Sequence, residues 1–189
     1  EIMMQTMVKI LHLRHAATYV LQSVENNSTV VKRIKQIGYS ATSKLVLTEH
    51  DFTVVYFSAH PGILVLEDFR QEIQNEEQKI EEVSHKSRHN KADTKNMSAF
   101  IREHAIKQSV LKKLTELDVA IVIPLHLNKQ PIGLIILSDK LSGDPFFAED
   151  MELLDTIGSQ AISSIQKAKL YEGDQMKTEF VSLASHEHL

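Results

Sequence analysis

The feature that most constrains the fold is a pair of almost continuously apolar segments in the second half of the chain. They cover residues 119–127 and 131–138, and the polar turn Asn128-Lys129-Gln130 separates them. Two apolar runs of strand length around a short polar turn are typical of a β-hairpin. Runs such as 132–137 are far shorter than the roughly 18 to 20 residues that a bilayer span needs, so the sequence predicts no membrane-spanning helix.

Composition indicates an ordinary globular chain that is rich in long regular elements. The 189 residues suit one domain with appendages or two small domains, and only 6 are Gly and 4 are Pro. The complete lack of cysteine excludes disulfides, thiolate metal sites, cysteine nucleophiles and cofactors attached through sulfur. A net charge of -4 argues against a surface dedicated to nucleic acid.

The other elements are predicted from periodicity, residue type and helix-end signals. The segment 63–66 is compatible with a short strand or with the start of a helix, and the polar segment 67–96 with a solvated helix, a flexible insertion or both. The remaining predictions are a helix over 1–27, a helix over 28–38 ended by Gly38, a hairpin over 44–57, a helix over 98–117, and a long helix that begins near Asp144-Pro145.

The final helix carries a seven-residue apolar repeat. Its positions follow spacings of 3, 4, 3, 4 and 3: Met151, Leu154, Gly158, Ala161, Ile165 and Ala168. Such a repeat is typical of paired helices, and the apolar phase shifts near Gly173. We therefore expect a parallel homodimer in which residues 2–24 and 151–183 pair with their counterparts.

Residues 120–172 resemble the C-terminal half of a GAF domain. The resemblance lies in five features in order: the Val/Ile-Pro-Leu strand, the Ile-Gly strand, the Asp139-Lys140-x-Ser-Gly turn, Phe146-x-x-x-Asp150 at a helix start, and a helix ending in Leu-Tyr. It implies an α+β fold, an α/β sandwich whose antiparallel sheet of six strands or similar has helices on one face and a ligand pocket on the other. It also implies an ion pair between Lys140 and Asp150.

Departures from the family pattern bear on the ligand. Cyclic-nucleotide-binding members carry Asn-Lys and Phe-x-x-x-Asp-Glu, whereas this chain has Asp139-Lys140 and Asp150-Met151, which weakens that function. The missing cysteine removes bilin attachment and thiol-based methionine sulfoxide reduction. A haem would need an axial ligand, for which His104 and His126 are the candidates in the core. No cofactor is evident from the sequence.

Residues 177–187 resemble the start of the dimerisation and phosphoacceptor helix of a sensor histidine kinase. The motif here is Phe180, an apolar stretch, then Ser185-His186-Glu187, and His188-Leu189 stands where the family has Leu-Arg. The resemblance implies that His186 is the phosphoacceptor, because a neutral imidazole can attack a γ-phosphate while the adjacent Glu187 accepts its proton.

Two histidine pairs at helical spacing, His12/His15 and His85/His89, lack a third ligand, so no metal site is predicted. The resemblances divide the chain into a signalling helix (1–27), a GAF-like sensor domain (28–172) and the start of the phosphoacceptor helix (173–189). They imply the cytoplasmic sensory segment of a two-component histidine kinase, whose parent could be membrane-anchored. On this interpretation we expect the segment to lack the ATP-binding domain and to have no kinase activity alone.

The partners implied are a second copy of the chain, a response regulator and an unidentified small molecule, with neither nucleic acid nor membrane contact within this segment. The alternative function is a GAF-like dimerisation spacer that binds no ligand and relays a signal from an upstream membrane sensor. A pocket filled by the domain's own side chains would favour the spacer, and an open cavity with convergent polar groups would favour the sensor.

Overall fold

A computed structural model describes residues 2–24, 28–39, 51–86 and 91–186. Within these ranges the chain forms five helices and five strands. In chain order they are α1 (Ile2–Ile10), β1 (Ala16–Val24), β2 (Ser28–Ile37), α2 (Phe52–Ala59), β3 (Leu64–Val65), α3 (Leu66–Lys86), α4 (Lys91–Glu116), β4 (Ile121–Leu127), β5 (Gln130–Leu137) and α5 (Ala148–His186).

The strands form one antiparallel sheet in the order β2-β1-β5-β4-β3. The predicted apolar hairpin is its β4–β5 pair, in which Ile123 lies opposite Ile135. β1 lies on the other side of β5, with Ala17 opposite Ile136. β3 is only two residues long and forms one edge of the sheet.

Helices cover both faces of the sheet. Helices α2, α3 and α4 share one hydrophobic core with the sheet, which includes Tyr19, Phe69 and Leu114. Helices α1 and α5 share a second core on the opposite face, which includes Met7 and Leu154. The α+β class and the antiparallel sheet are thus confirmed, but the expectation that helices lie on one face only is wrong.

The predicted helix over 1–27 is wrong beyond Ile10, because residues 16–24 form β1. Ala17, Tyr19 and Leu21 belong to the core under α2–α4, whereas Ala16 belongs to the core under α1 and α5. A strand buried on both faces has apolar residues without a clear alternation, so its pattern is easily mistaken for that of a helix.

Two other predicted elements change type. Residues 28–37 form the edge strand β2 instead of a helix, and Gly38 follows it with φ +79. Residues 52–57 lie in α2 instead of a strand, because Asp51 accepts a hydrogen bond from the Thr53 amide and starts a helix there. The first part of that predicted hairpin, 44–50, lies outside the described residues.

The polar segment after β3 is helical through Lys86. The predicted helix over 98–117 and the predicted long final helix are confirmed as α4 and α5, although α5 begins at Ala148 and not near Asp144-Pro145. For residues 63–66 the sequence allowed a short strand or the start of a helix, and both occur: β3 is followed directly by the first residue of α3. None of the helices in the described part of the chain is long and apolar enough to cross a membrane.

Candidate functional site

A pocket of about 520 Å³ opens beside the edge strand β3. Its walls come from α2, from the segment leading into β3, from the first two turns of α3, and from the start of α5. The lining residues are Tyr56, Phe57, Ala59, His60, Pro61, Gly62, Ile63, Leu64, Val65, Asp68, Phe69, Glu72 and Met151. The pocket is therefore mainly apolar and carries a few polar side chains.

An aromatic pair forms the α2 wall of the pocket. The rings of Tyr56 and His60 stack with centroids 4.0 Å apart and planes 11° from parallel. Nδ1 of His60 donates a hydrogen bond to the Tyr56 carbonyl oxygen at 2.8 Å, so Nε2 is the ring nitrogen that remains for another partner, and in a neutral imidazole it is an acceptor. Tyr56 is only 9% exposed, and burial raises the pKa of its phenol. Its hydroxyl therefore stays protonated, and it has no hydrogen-bond partner among the described residues.

Two carboxylates on α3 form the acidic rim of the pocket. Asp68 and Glu72 are four residues apart, so they lie one helical turn from each other on the same face. Oε1 of Glu72 accepts a hydrogen bond from Nζ of Lys107 at 2.6 Å. Asp68 makes no ion pair within the ranges that the structure describes. The rim thus holds one paired and one unpaired carboxylate.

A buried charge cluster between α3 and α4 adjoins the rim. Lys107, with 8% of its side chain exposed, donates to Glu76 at 2.6 Å as well as to Glu72. Nδ1 of His104 donates to the other oxygen of Glu76 at 3.0 Å. The cluster therefore ties α3 to α4 through a single buried cation and two carboxylates.

The electrostatics of the cluster hold Lys107 and Glu76 in their charged forms. Burial alone would lower the pKa of Lys107, but its hydrogen bonds to Glu72 and Glu76 outweigh burial and raise that pKa. Burial alone would raise the pKa of Glu76, but Lys107 and His104 outweigh it and lower that pKa. Lys107 is consequently a cation and Glu76 a carboxylate around neutral pH.

Lys140 and Asp150 meet where the chain passes from β5 to α5. Nζ of Lys140 lies 2.6 Å from Oδ2 of Asp150, which also accepts a hydrogen bond from the Phe147 amide at 2.7 Å. The same ammonium lies 5.3 Å from the ring centres of Phe146 and Phe147. These residues form the predicted ion pair, and they fix the start of the outgoing helix to the sheet.

A second polar junction, which no sequence pattern marks, joins the α1–β1 turn to two other turns. The guanidinium of Arg14 lies 3.2 Å from Asp118 and 3.4 Å from Asp139. Nε2 of His15 donates to the Asp118 carbonyl oxygen at 2.8 Å, and its ring packs 4.0 Å from that of Tyr39. Burial lowers the pKa of His15. This junction holds the α1–β1 turn against the turns at Asp118 and Asp139.

The histidines considered as metal or haem ligands are placed apart from one another. His104 is bonded to Glu76, and Nε2 of His126 lies 3.3 Å from the Ser58 carbonyl oxygen. His12 is exposed in the α1–β1 turn, and His89 lies outside the described residues. The described ranges contain no group of three or more side chains placed to hold a metal ion.

The proposed phosphoacceptor is the last residue of α5. The helix runs without interruption from Ala148 to His186, a length of 39 residues. Glu187 lies outside the described residues. The backbone of α5 thus joins the Lys140–Asp150 junction directly to His186.

No protein-family model matches the sequence, and no curated protein matches it either. Solved structures do resemble it. The GAF domain/HD domain protein from Geobacter sulfurreducens superposes with a TM-score of 0.52 at 12% identity, over 89% of this chain and 91% of that one. GAF3 of Slr1393 from Synechocystis sp. PCC6803, in its photoproduct state, gives 0.51 at 11% identity, over 90% and 92%. The red light-absorbing state of NpR6012g4, a red/green cyanobacteriochrome, gives 0.50 at 13% identity, over 90% and 93%.

Proposed function

Because the chain has the GAF fold, we propose that it is the sensory and signal-transmitting segment of a two-component sensor histidine kinase. In this proposal the GAF-fold domain regulates autophosphorylation on His186, with Glu187 as the base, in a cytoplasmic homodimer. ATP would come from the catalytic domain of the parent protein, and a response regulator would receive the phosphoryl group.

The observation that carries the proposal is the continuity of α5. Its first turns pack on the sheet through Leu154 and Ile157, and its last residue is His186. A helix without a break transmits a rotation or a shift from one end to the other, because its backbone hydrogen bonds resist local bending. A change in the domain therefore has a direct mechanical path to the phosphoacceptor motif.

The test is phosphorylation of the full-length parent protein with labelled ATP. Wild-type protein should acquire an acid-labile phosphoryl group, and His186→Gln should abolish it. His12→Asn is the matched control, because it removes an exposed histidine of the α1–β1 turn and should leave labelling unchanged. Persistent acid-labile label on His186→Gln would refute the assignment.

A second candidate function is the dimerisation spacer that binds no ligand. The packing under α2–α4 favours it, because the core there is filled by side chains of the domain itself, among them Tyr19, Phe69 and Leu134. The pocket beside β3 favours the sensor instead, since it is open and has convergent polar groups. Binding of a small molecule to that pocket discriminates between the two functions.

A further inference from the structure

We propose that the pocket beside β3 binds a small organic cation, an ammonium group carried on an apolar body. The inference rests on the proposed sensory function, which requires an input ligand, and it names the chemical class of that ligand. It is drawn from three features of the pocket: its charge, the kind of hydrogen-bonding groups that it presents, and its connection to the cluster between α3 and α4.

The charge of the pocket favours a cation. Asp68 and Glu72 are both in its lining, and neither lysine nor arginine is. Lys107 offsets one negative charge, but it is shared between Glu72 and Glu76 and leaves Asp68 unpaired within the described part of the chain. A carboxylate at the rim of an apolar pocket attracts a cationic ligand and repels an anionic one.

The hydrogen-bonding groups of the pocket are those that an ammonium needs. An ammonium has only donors, so it requires acceptors. The Asp68 carboxylate and the hydroxyl oxygen of Tyr56 are acceptors, and Nε2 of His60 is one in the neutral form of an imidazole. The Tyr56 hydroxyl adds a polar group to an apolar wall, because this side chain is 9% exposed, lines the pocket, and makes no hydrogen bond to the described residues.

The remaining walls suit the apolar body of such a ligand. Ile63, Leu64 and Met151 line the pocket beside the stacked rings of Tyr56 and His60. Aromatic faces attract cations through their quadrupole, so the ring pair favours an ammonium in addition to contributing apolar area.

Glu72 connects the pocket to the core of the domain. Its carboxylate lines the pocket and also binds Lys107 of α4 at 2.6 Å. A ligand ammonium at the rim therefore competes with Lys107 for Glu72 and weakens one of the two bonds that Lys107 makes to α3. Binding of a ligand in the pocket thus changes a contact between α3 and α4, two helices that pack on the sheet.

The test is a titration of the isotope-labelled chain, monitored by amide chemical shifts. The probe is 2-phenylethylamine, with 2-phenylethanol as its neutral analogue and 3-phenylpropanoate as its anionic one. We expect saturable shifts centred on residues 60–72 with the amine, weaker binding of the alcohol, and no binding of the anion at the same concentrations.

Two variants locate the binding. Asp68→Asn should weaken amine binding about tenfold, the loss typical of one charge-assisted hydrogen bond. Glu67→Gln is the matched control on the same turn of α3, since Glu67 is exposed, pairs with Arg70 and does not line the pocket; its affinity should stay within twofold of wild type. The proposal is overturned if the amine gives no saturable shift, if the anion binds as tightly, or if Asp68→Asn binds like wild type.

This outcome is separable from that of the proposed function. Amine binding is measured on this chain without ATP, whereas the role of His186 is measured by labelling of the parent. Labelling lost in His186→Gln together with no amine binding would refute only the cation site. Amine binding with persistent label in His186→Gln would refute only the phosphoacceptor.

Discussion

At the scale of single residues, Asp150 performs two tasks with one oxygen. Oδ2 accepts from the Lys140 ammonium at 2.6 Å and from the Phe147 amide at 2.7 Å, so it is both an ion-pair partner and a helix cap. The Lys140 and Asp150 side chains are only 12% and 17% exposed. Such a pair is screened less by water than an exposed one, which contributes about 0.2 to 1 kcal/mol.

We predict that Asp150→Asn lowers the free energy of unfolding at pH 7 by about 1 to 2 kcal/mol, since the amide can still cap the helix but leaves the buried ammonium without its counter-charge. Glu149→Gln is the control, because it removes an exposed acid from the same helical turn and should change stability by less than about 0.5 kcal/mol. Urea denaturation measures both. Equal stabilities for the two variants would contradict the role of the pair.

The pH dependence of the wild type follows from the same residue. Burial would raise the pKa of Asp150, but the hydrogen bonds from Lys140 and the Phe147 amide outweigh burial and lower it. The folded state therefore binds a proton less readily than the unfolded state, whose Asp has a pKa of about 3.9. The contribution of this residue is fully present above that pH and is lost as the pH falls below it, so the stability gap between wild type and Asp150→Asn should narrow in acid.

At the scale of elements, the centre of the sheet depends on the close approach of β1 and β5. Gly133 on β5 lies opposite Val20, and a Cβ at position 133 would collide with the Tyr19 carbonyl oxygen. The Tyr19 carbonyl is part of the backbone and cannot rotate away as a flexible side chain can, so one of the two strands would have to move. The Ile-Gly step in the sequence thus has a physical reason in strand packing.

We predict that Gly133→Ala destabilises the chain by about 1 to 3 kcal/mol, the usual cost of forcing extra volume into a packed interior. Gly62→Ala is the matched control, because a Cβ there would have no atom within 4 Å. Its stability should stay within about 0.5 kcal/mol of wild type. Thermal unfolding followed by circular dichroism measures the difference, and a Gly133→Ala protein as stable as the control would show that the strands adjust freely.

How far the sequence predicts these elements depends on how each one is buried. The hairpin β4–β5 and the helices α4 and α5 follow from residue pattern, because a clear turn or a long helical spacing marks each of them. β1 is buried on both faces and has no diagnostic period. α2 contains Val54, Tyr56 and Phe57, which favour strands, but the Asp51 cap and packing against the sheet make this segment helical.

The wrong strand prediction over 52–57 also explains why the candidate site is not predicted from the sequence. Tyr56 and His60 stack because they are four residues apart on a helix, so a strand prediction over 52–57 separates them. Asp68 and Glu72 come from another helix, and the fold alone brings the two pairs to one pocket. Lys140 and Asp150 were predicted because their spacing belongs to a family motif, not because any periodicity placed them together.

At the scale of the whole molecule, the apolar repeat of α5 is used mostly within the chain. Leu154 and Ala161 are buried against the sheet, Ile165 packs at the edge of the same core, and a Cβ on Gly158 would lie 3.1 Å from Ile123. The small residue at position 158 thus fits close packing on β4. Residues 16–24 are likewise committed to the sheet, so the expected pairing of 2–24 with a second copy is wrong in its strand portion.

Two of the exposed large apolar side chains lie farther along α5, beyond the part that packs on the sheet. Leu170 is 63% exposed and Tyr171 is 73% exposed, where the helix has passed the sheet. A parallel two-fold pairing of α5 would remove these side chains from water in both copies. The homodimer therefore stays a prediction, now centred on this part of α5.

We predict that wild-type chain dimerises at tens of micromolar and that Leu170→Glu weakens the dimer at least about tenfold, because the substitution places a carboxylate in each half of a symmetric apolar contact. Lys169→Gln is the matched control: it changes the net charge by the same one unit at the neighbouring position, without adding a charge to the apolar surface. Leu170 touches neither core cluster, so Leu170→Glu should unfold at the wild-type temperature when both are measured at a concentration at which they are monomers, which separates lost association from lost folding. Sedimentation velocity over a concentration series measures the equilibrium. A wild-type chain that sediments as a monomer at tens of micromolar, or a Leu170→Glu chain that associates as strongly as Lys169→Gln, would exclude this surface as the dimer contact.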